Sequence, residues 1–167
     1  MALRAAGERF GYPELAQLLR RRGVTTRDRH IGQMRELFRR MVFNILMDNT
    51  DDHEKNHALI VTDANQFELS PAYDVLPTGQ ALGFQQMRVG EQEADSTLQN
   101  ALSMVQLFAL EPDAALREVR AVVRVVEGWK EHFRQCGVTA SDVKLLAEQI
   151  DRPFLLEQRK DVRSRRT

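Results

Sequence analysis

Residues 47–60, MDNTDDHEKNHALI, form a dense polar segment that runs directly into an apolar one. A packed core does not require so many acidic and histidine side chains at one turn, so their concentration calls for a chemical explanation. Three hypotheses are open from the residues alone: a zinc site, a nucleotide-metal site and a solvated turn. The side chains in question are Asp48, Asp51, Asp52, His53, Glu54 and His57.

The apolar periodicity around this segment predicts a mainly α-helical fold with one small β-hairpin. A short helix is expected over Tyr12–Arg22 and a longer one over residues 26–47, where apolar residues recur at i, i+3 and i+4. HALIV and FELS, on either side of TDANQ, predict two short strands. The C-terminal half predicts helices over residues 97–110, 113–135 and 142–150. Ser141 is the expected N-cap of the last helix.

The composition is typical of a soluble globular protein. The 167 residues are 43% hydrophobic and 29% charged, and the formal net charge of zero indicates neither nucleic acid nor an anionic membrane as a partner. Cys136 is the one cysteine, which fits a reducing cytoplasm. No apolar run approaches the roughly 20 residues of a membrane span. We expect one domain over residues 1–167, with a basic, frayed tail over residues 158–167.

The zinc hypothesis rests on residues 53–57, HEKNH, which match the H-E-x-x-H pattern. In that pattern two histidines bind zinc and the glutamate is the general base, and both histidines must share one face of a helix. Here a turn pattern precedes the motif, and ALIV after it favours a strand. We therefore keep an HExxH zinc hydrolase only as the last alternative.

The nucleotide-metal hypothesis rests on Asp51 and Asn56, which have the spacing of a kinase catalytic loop. In such a loop the aspartate orients or deprotonates the substrate hydroxyl, and the asparagine oxygen holds Mg²⁺. A second aspartate must follow a hairpin, and Asp74 in AYDVL has that place. Carboxylate and amide oxygens are the donors that Mg²⁺ prefers.

FNILMDNTDDHEKNHALI followed by LSPAYDVLPT closely resembles the core of the HipA-type serine/threonine kinases, which are toxins of bacterial toxin–antitoxin modules. The resemblance extends to ERFGYPELAQLLRR, MRELFRRMVFNIL and GWKEHF. It implies the helical large lobe of a protein-kinase-like enzyme, that is, a HipA C-terminal domain. By position it implies ATP and Mg²⁺ as cofactors, Asp51 as catalytic base, and Asn56 and Asp74 as Mg²⁺ ligands.

The same resemblance assigns roles to Lys55 and His53, whereas the other polar residues of the segment have structural interpretations. Lys55 would neutralise the transferring phosphate, and His53 would pack beneath the loop and orient Asp51. Asp52 is interpreted as a cap. The remaining members are interpreted as solvated or supporting residues, namely Asp48, Glu54 and His57.

The resemblance also implies elements that this sequence does not contain. No Gly-rich loop and no strand with a nucleotide-binding lysine precedes Tyr12. We therefore expect a truncated or split kinase that binds Mg-ATP weakly and has little or no activity alone. The alternative is a non-catalytic interaction module. Its partner would be a DNA-binding, HipB-like antitoxin, a separately encoded small-lobe protein or a second copy of the chain. Neither hypothesis implies direct binding to nucleic acid or to a membrane.

Overall fold

Helix α2 (Arg29–Leu46) lies at the centre of the fold in the computed structural model, which describes residues 10–164. Its apolar residues recur every three or four positions and are fully buried: Met34, Leu37, Phe38, Met41, Val42 and Ile45. Helix α2 packs against α1 (Tyr12–Arg22) on one side and α4 (Pro112–Glu127) on another. The remaining helices are α3 (Leu98–Ala101), α5 (Trp129–Gln135), α6 (Ala140–Ile150) and α7 (Pro153–Ser164).

The predicted hairpin is confirmed by two antiparallel strands, β1 (Leu59–Val61) and β2 (Phe67–Leu69). Asn65 takes a positive φ of 54° at the turn between them, a conformation that asparagine tolerates well. The far edge of β2 meets the chain after α1, where the Val24 amide donates to the Phe67 carbonyl at 3.3 Å. The hairpin is thereby attached to the helical core.

Three predicted helices differ in detail from those observed. The helix expected over residues 26–47 starts as a 3₁₀ turn at Thr26–Asp28, because Arg27 and Asp28 both have a φ of 53°. The helix expected over residues 97–110 is one α-helical turn, α3, followed by a 3₁₀ turn at Val105–Phe108 that ends where Ala109 takes a φ of 56°. The helix expected over residues 113–135 divides into α4 and α5 at Gly128.

Helices α6 and α7 also depart from the prediction. Thr139, rather than Ser141, caps α6, because its Oγ1 accepts from the Asp142 amide at 3.2 Å. Residues 158–164, which we expected to fray, lie in α7, and the Arg159 side chain is 3% exposed. Residues 165–167 lie outside the described part of the chain.

Candidate functional site

Loop 47–58 leaves the C-terminal end of α2 and carries the polar segment. Asp48 takes a φ of 56°, which turns the chain out of the helix, and the Asn49 amide returns to the Asn44 carbonyl at 2.9 Å. A single 3₁₀ turn then covers Glu54–Asn56, and β1 begins after it. The loop is therefore irregular but held to α2 by backbone hydrogen bonds.

This local geometry makes the zinc hypothesis wrong. His53 and His57 have extended backbones on either side of the short 3₁₀ turn, so they do not share the face of an α-helix. The Nε2 atom of His57 is engaged with Asp52 at 2.8 Å. Within residues 10–164, no group of three histidine, cysteine, aspartate or glutamate side chains is placed to hold a metal ion.

A buried hydrogen-bond chain anchors loop 47–58 to the core. Asn49 Nδ2 donates to Asn44 Oδ1 at 3.2 Å, and Asn44 Nδ2 donates to the Tyr12 hydroxyl at 3.0 Å. The Tyr12 hydroxyl donates in turn to the Asp52 carboxylate, which also accepts from His57. Asp52 is 2% exposed, so it anchors the loop inside the core and is more than a cap.

Burial also affects the acidity of Tyr12, which has no solvent exposure. Desolvation raises the pKa of its phenol well above the ordinary value, and the nearby Asp52 charge and hydrogen bond raise it further. The phenol therefore stays protonated and continues to donate to Asp52 over the physiological range of pH.

The predicted catalytic and Mg²⁺-binding residues of the loop differ in their exposure. Asp51 and Lys55 are exposed, whereas Asn56 is 8% exposed. His53 is half-buried, and its Nδ1 has no hydrogen-bond partner among residues 10–164, so that nitrogen does not orient Asp51. Asp51 and Asp52 are adjacent carboxylates that face opposite ways, one towards solvent and one into the core.

Segment 70–78 lies antiparallel to loop 47–58 and is attached to it at three places. The first attachment lies at the end of the hairpin, the second lies within segment 70–78, and the third lies at the start of loop 47–58. The corresponding hydrogen bonds are Ser70 N to Ala58 O at 3.0 Å, Tyr73 Oη to Lys55 O at 2.6 Å, and Thr78 N to Asp48 O at 3.1 Å.

The middle attachment joins the two segments that carry the predicted Mg²⁺ ligands. Tyr73 directly precedes Asp74 and Lys55 directly precedes Asn56, so Asp74 and Asn56 each lie one residue from the Tyr73–Lys55 hydrogen bond. Asp74 is exposed and takes a φ of 55°. One amide and one carboxylate are a donor set that suits Mg²⁺, which keeps its other positions for water and phosphate oxygens.

An apolar cavity of about 630 Å³ adjoins this site, between α2, α4 and segment 70–78. Tyr73 and Val75, the neighbours of Asp74 in the chain, line its wall and are 44% and 42% exposed. Val125 of α4 lies at its edge and is 69% exposed. On the rim, Arg39 pairs with Glu118 at 2.7 Å and Arg40 pairs with Glu36 at 3.1 Å. The cavity is therefore a mainly apolar groove, and the charges of the arginines on its rim are balanced by glutamates.

Several residues that hold the site together were missed by the sequence analysis. From the sequence, Tyr12 and Asn44 are expected to be ordinary members of amphipathic helices, and Thr78 is expected to lie in a loop. Arg152 contacts Asp48 from the far end of the chain. No local pattern could have revealed these contacts, although polar Asn44 on the apolar face of α2 was a signal of a buried hydrogen-bonded group.

Comparison with known proteins shows the family. The model of the HipA-like C-terminal domain matches residues 2–129, most of the chain, and the chain therefore belongs to that family. This confirms the resemblance and the predicted fold class. No match is found among curated proteins.

The fold is also found among solved structures. HipA from Shewanella oneidensis MR-1, solved with HipB and its operator DNA, superposes with a TM-score of 0.69 at 16% sequence identity. The match covers 94% of this chain and 38% of that HipA chain, so the present chain spans well under half the length of its solved relative. No helix among residues 10–164 is long and apolar enough to cross a membrane.

Proposed function

We propose that this domain forms the Mg-nucleotide site of a HipA-like serine/threonine protein kinase. The observation that carries the proposal is the hydrogen bond from the Tyr73 hydroxyl to the Lys55 carbonyl, at 2.6 Å. It fastens segment 70–78 to loop 47–58 at residues that directly precede Asp74 and Asn56 in the chain. We also propose that residues 1–167 form a single domain.

The roles of the side chains follow from their exposure. Bound Mg²⁺ supplies charge neutralisation for the phosphates of ATP, and Asn56 and Asp74 would hold it. Asp51 is exposed and ionisable, so it can accept the proton of a serine or threonine hydroxyl. Lys55, which is also exposed, can offset negative charge on the transferring phosphoryl group. His53 supports the loop from its half-buried position.

The proposal for the chain alone is Mg-nucleotide binding, with phosphoryl transfer assigned to an assembly. Positioning and charge neutralisation account for most of the catalysis of phosphoryl transfer, and both need contacts to all three phosphates. The chain corresponds to 38% of the solved HipA. We therefore propose weak binding by this chain, and transfer once the remaining phosphate contacts are supplied.

Calorimetric titration with ATP, with and without Mg²⁺, tests the proposal. We expect saturable, Mg²⁺-dependent binding to the wild-type chain. In Asp74→Ala the affinity should fall by more than the about 10–100-fold typical of losing a supporting residue, because a direct ligand is removed. Asp63→Ala is the matched control, since Asp63 is an exposed aspartate in the hairpin turn. Equal affinity in Asp74→Ala and Asp63→Ala would overturn the proposal.

The apolar groove favours a second candidate, a non-catalytic interaction module. Exposed apolar surface in a defined concavity is typical of protein docking sites. The partner would be an antitoxin such as the HipB found with the solved HipA, a small-lobe protein or a second copy of the chain. Under this hypothesis Asp74→Ala leaves partner binding intact, because its carboxylate is polar and exposed and does not line the groove.

A further inference from the structure

The elbow between α6 and α7, residues Asp151 and Arg152, contacts the start of loop 47–58. Arg152 lies at this elbow, and its Nη2 atom donates to the Asp48 carboxylate at the start of loop 47–58. The Asp48 side chain is 8% exposed and that of Arg152 is 21% exposed. The match to the family model ends at residue 129, so this contact comes from a part of the chain beyond it.

Asp48 is the point at which the two site segments join. Its carbonyl accepts from both the amide and the hydroxyl of Thr78, at 3.1 and 2.9 Å. The Thr78 hydroxyl also lies 2.8 Å from that of Thr50. The position of Asp48 therefore sets where loop 47–58 begins and where segment 70–78 ends.

Arg152 is itself held in place at the elbow. Its Nε donates to the Gln149 carbonyl at 3.1 Å, one turn back along the chain. Burial lowers the pKa of its guanidinium, but arginine remains a cation at neutral pH. Gly79 packs so closely on this elbow that a Cβ there would lie 2.7 Å from Gln149 Cδ. The elbow thus contacts the start of loop 47–58 through an ion pair and the residue that follows segment 70–78 through close packing.

We propose that Arg152 is a positioning residue for the Mg-nucleotide site and acts through Asp48. A buried carboxylate needs a charged partner, and a cation fixed at the elbow orients Asp48 and, with it, both segments. The segments carry Asn56 and Asp74, so the relative placement of the two Mg²⁺ ligands depends on this ion pair. The inference rests on the proposed function of that site.

The test compares Arg152→Met with the wild-type chain. Methionine keeps the apolar stem but removes the guanidinium. Arg163→Met is the matched control, because Arg163 lies in α7 and pairs with Glu127 at 3.0 Å, on the surface. Amide hydrogen exchange reports the local effect. We expect exchange in residues 47–56 and 78–80 to become about tenfold faster in Arg152→Met, as local opening becomes easier, and to stay unchanged in Arg163→Met.

Mg²⁺-dependent ATP affinity is the second readout, since a purely structural role would leave it unchanged below the unfolding temperature. We expect about a tenfold to hundredfold loss in Arg152→Met, the range produced by small misplacements in a site. Arg152→Lys should give an intermediate loss, because it retains the charge without the planar fork.

The outcomes separate this inference from the proposed function. Wild-type exchange rates in Arg152→Met would overturn the inference, as would faster exchange with unchanged Mg-ATP affinity. A wild-type chain without Mg-ATP affinity would instead overturn the proposed function. The exchange rates would then decide by themselves whether Arg152 holds the two segments together.

Discussion

Replacing Asp52 with alanine is expected to destabilise the fold by about 2–6 kcal/mol, because two buried polar groups lose their partner. The change leaves the buried Tyr12 hydroxyl without its acceptor and the His57 Nε2 without its partner. Each unsatisfied buried group costs about 1–3 kcal/mol. The small cavity left by the carboxylate adds to the loss. Urea unfolding followed by the fluorescence of Trp129 measures the free energy of unfolding.

Asp51→Ala is the matched control for this prediction. It removes the same carboxyl group from the adjacent position, but Asp51 is exposed and lies on the solvent side of the loop. An exposed substitution of this kind changes the free energy of unfolding by no more than about 0.5 kcal/mol. Similar small effects from Asp51→Ala and Asp52→Ala would contradict the buried anchor.

Replacing Arg159 with alanine is expected to have an effect of similar size, about 2–6 kcal/mol, because two carbonyls lose a donor at about 1–3 kcal/mol each. Its Nη2 atom donates to the Leu46 carbonyl at 3.1 Å and to the Ile150 carbonyl at 2.5 Å. Its Nη1 atom pairs with Asp151 at 3.0 Å. Removing the guanidinium leaves two carbonyls without this donor. Burial raises the pKa of Asp151, and the change also removes one of the side-chain hydrogen bonds that lower this pKa.

Lys160→Ala is the control that shows whether the destabilisation is specific to Arg159 or follows from any substitution in α7. Lys160 is exposed and adjacent to Arg159 in α7, so its removal should alter the free energy of unfolding by at most about 0.5 kcal/mol. Arg159→Met should remain destabilised because it keeps the stem but not the donors. If all three substitutions had equally small effects, α7 would not be docked as described.

The regular part of the fold was predictable because it depends on local periodicity. The bounds of α1 agree with the prediction, and the hairpin forms where alternating apolar runs flank a polar turn. Departures occur where tertiary contacts override the local pattern. Helix α7 contains many charged residues, and what holds it is the burial of Leu155, Arg159 and Val162 against the rest of the domain.

The sequence indicated which polar residues lie in loop 47–58, but not which of them are buried and which are exposed. Asp51 and Asp52 are the same residue type at adjacent positions, and only the packing of Tyr12 and His57 around Asp52 distinguishes them. Spacing alone placed Asp74 after the hairpin. The hydrogen bonds that set segment 70–78 against loop 47–58 are long-range contacts, for which no pattern of neighbouring residues exists.

Paramagnetic NMR with Mn²⁺-ATP in place of Mg²⁺-ATP tests the central claim most directly, because Mn²⁺ accepts the same oxygen donors and broadens signals near it. The account predicts selective broadening of the Asn56 side-chain amide and of the backbone signals around Asp74, lost together in Asp74→Ala. Broadening centred elsewhere, or broadening that persists unchanged in Asp74→Ala, would show that these two residues do not form one metal site.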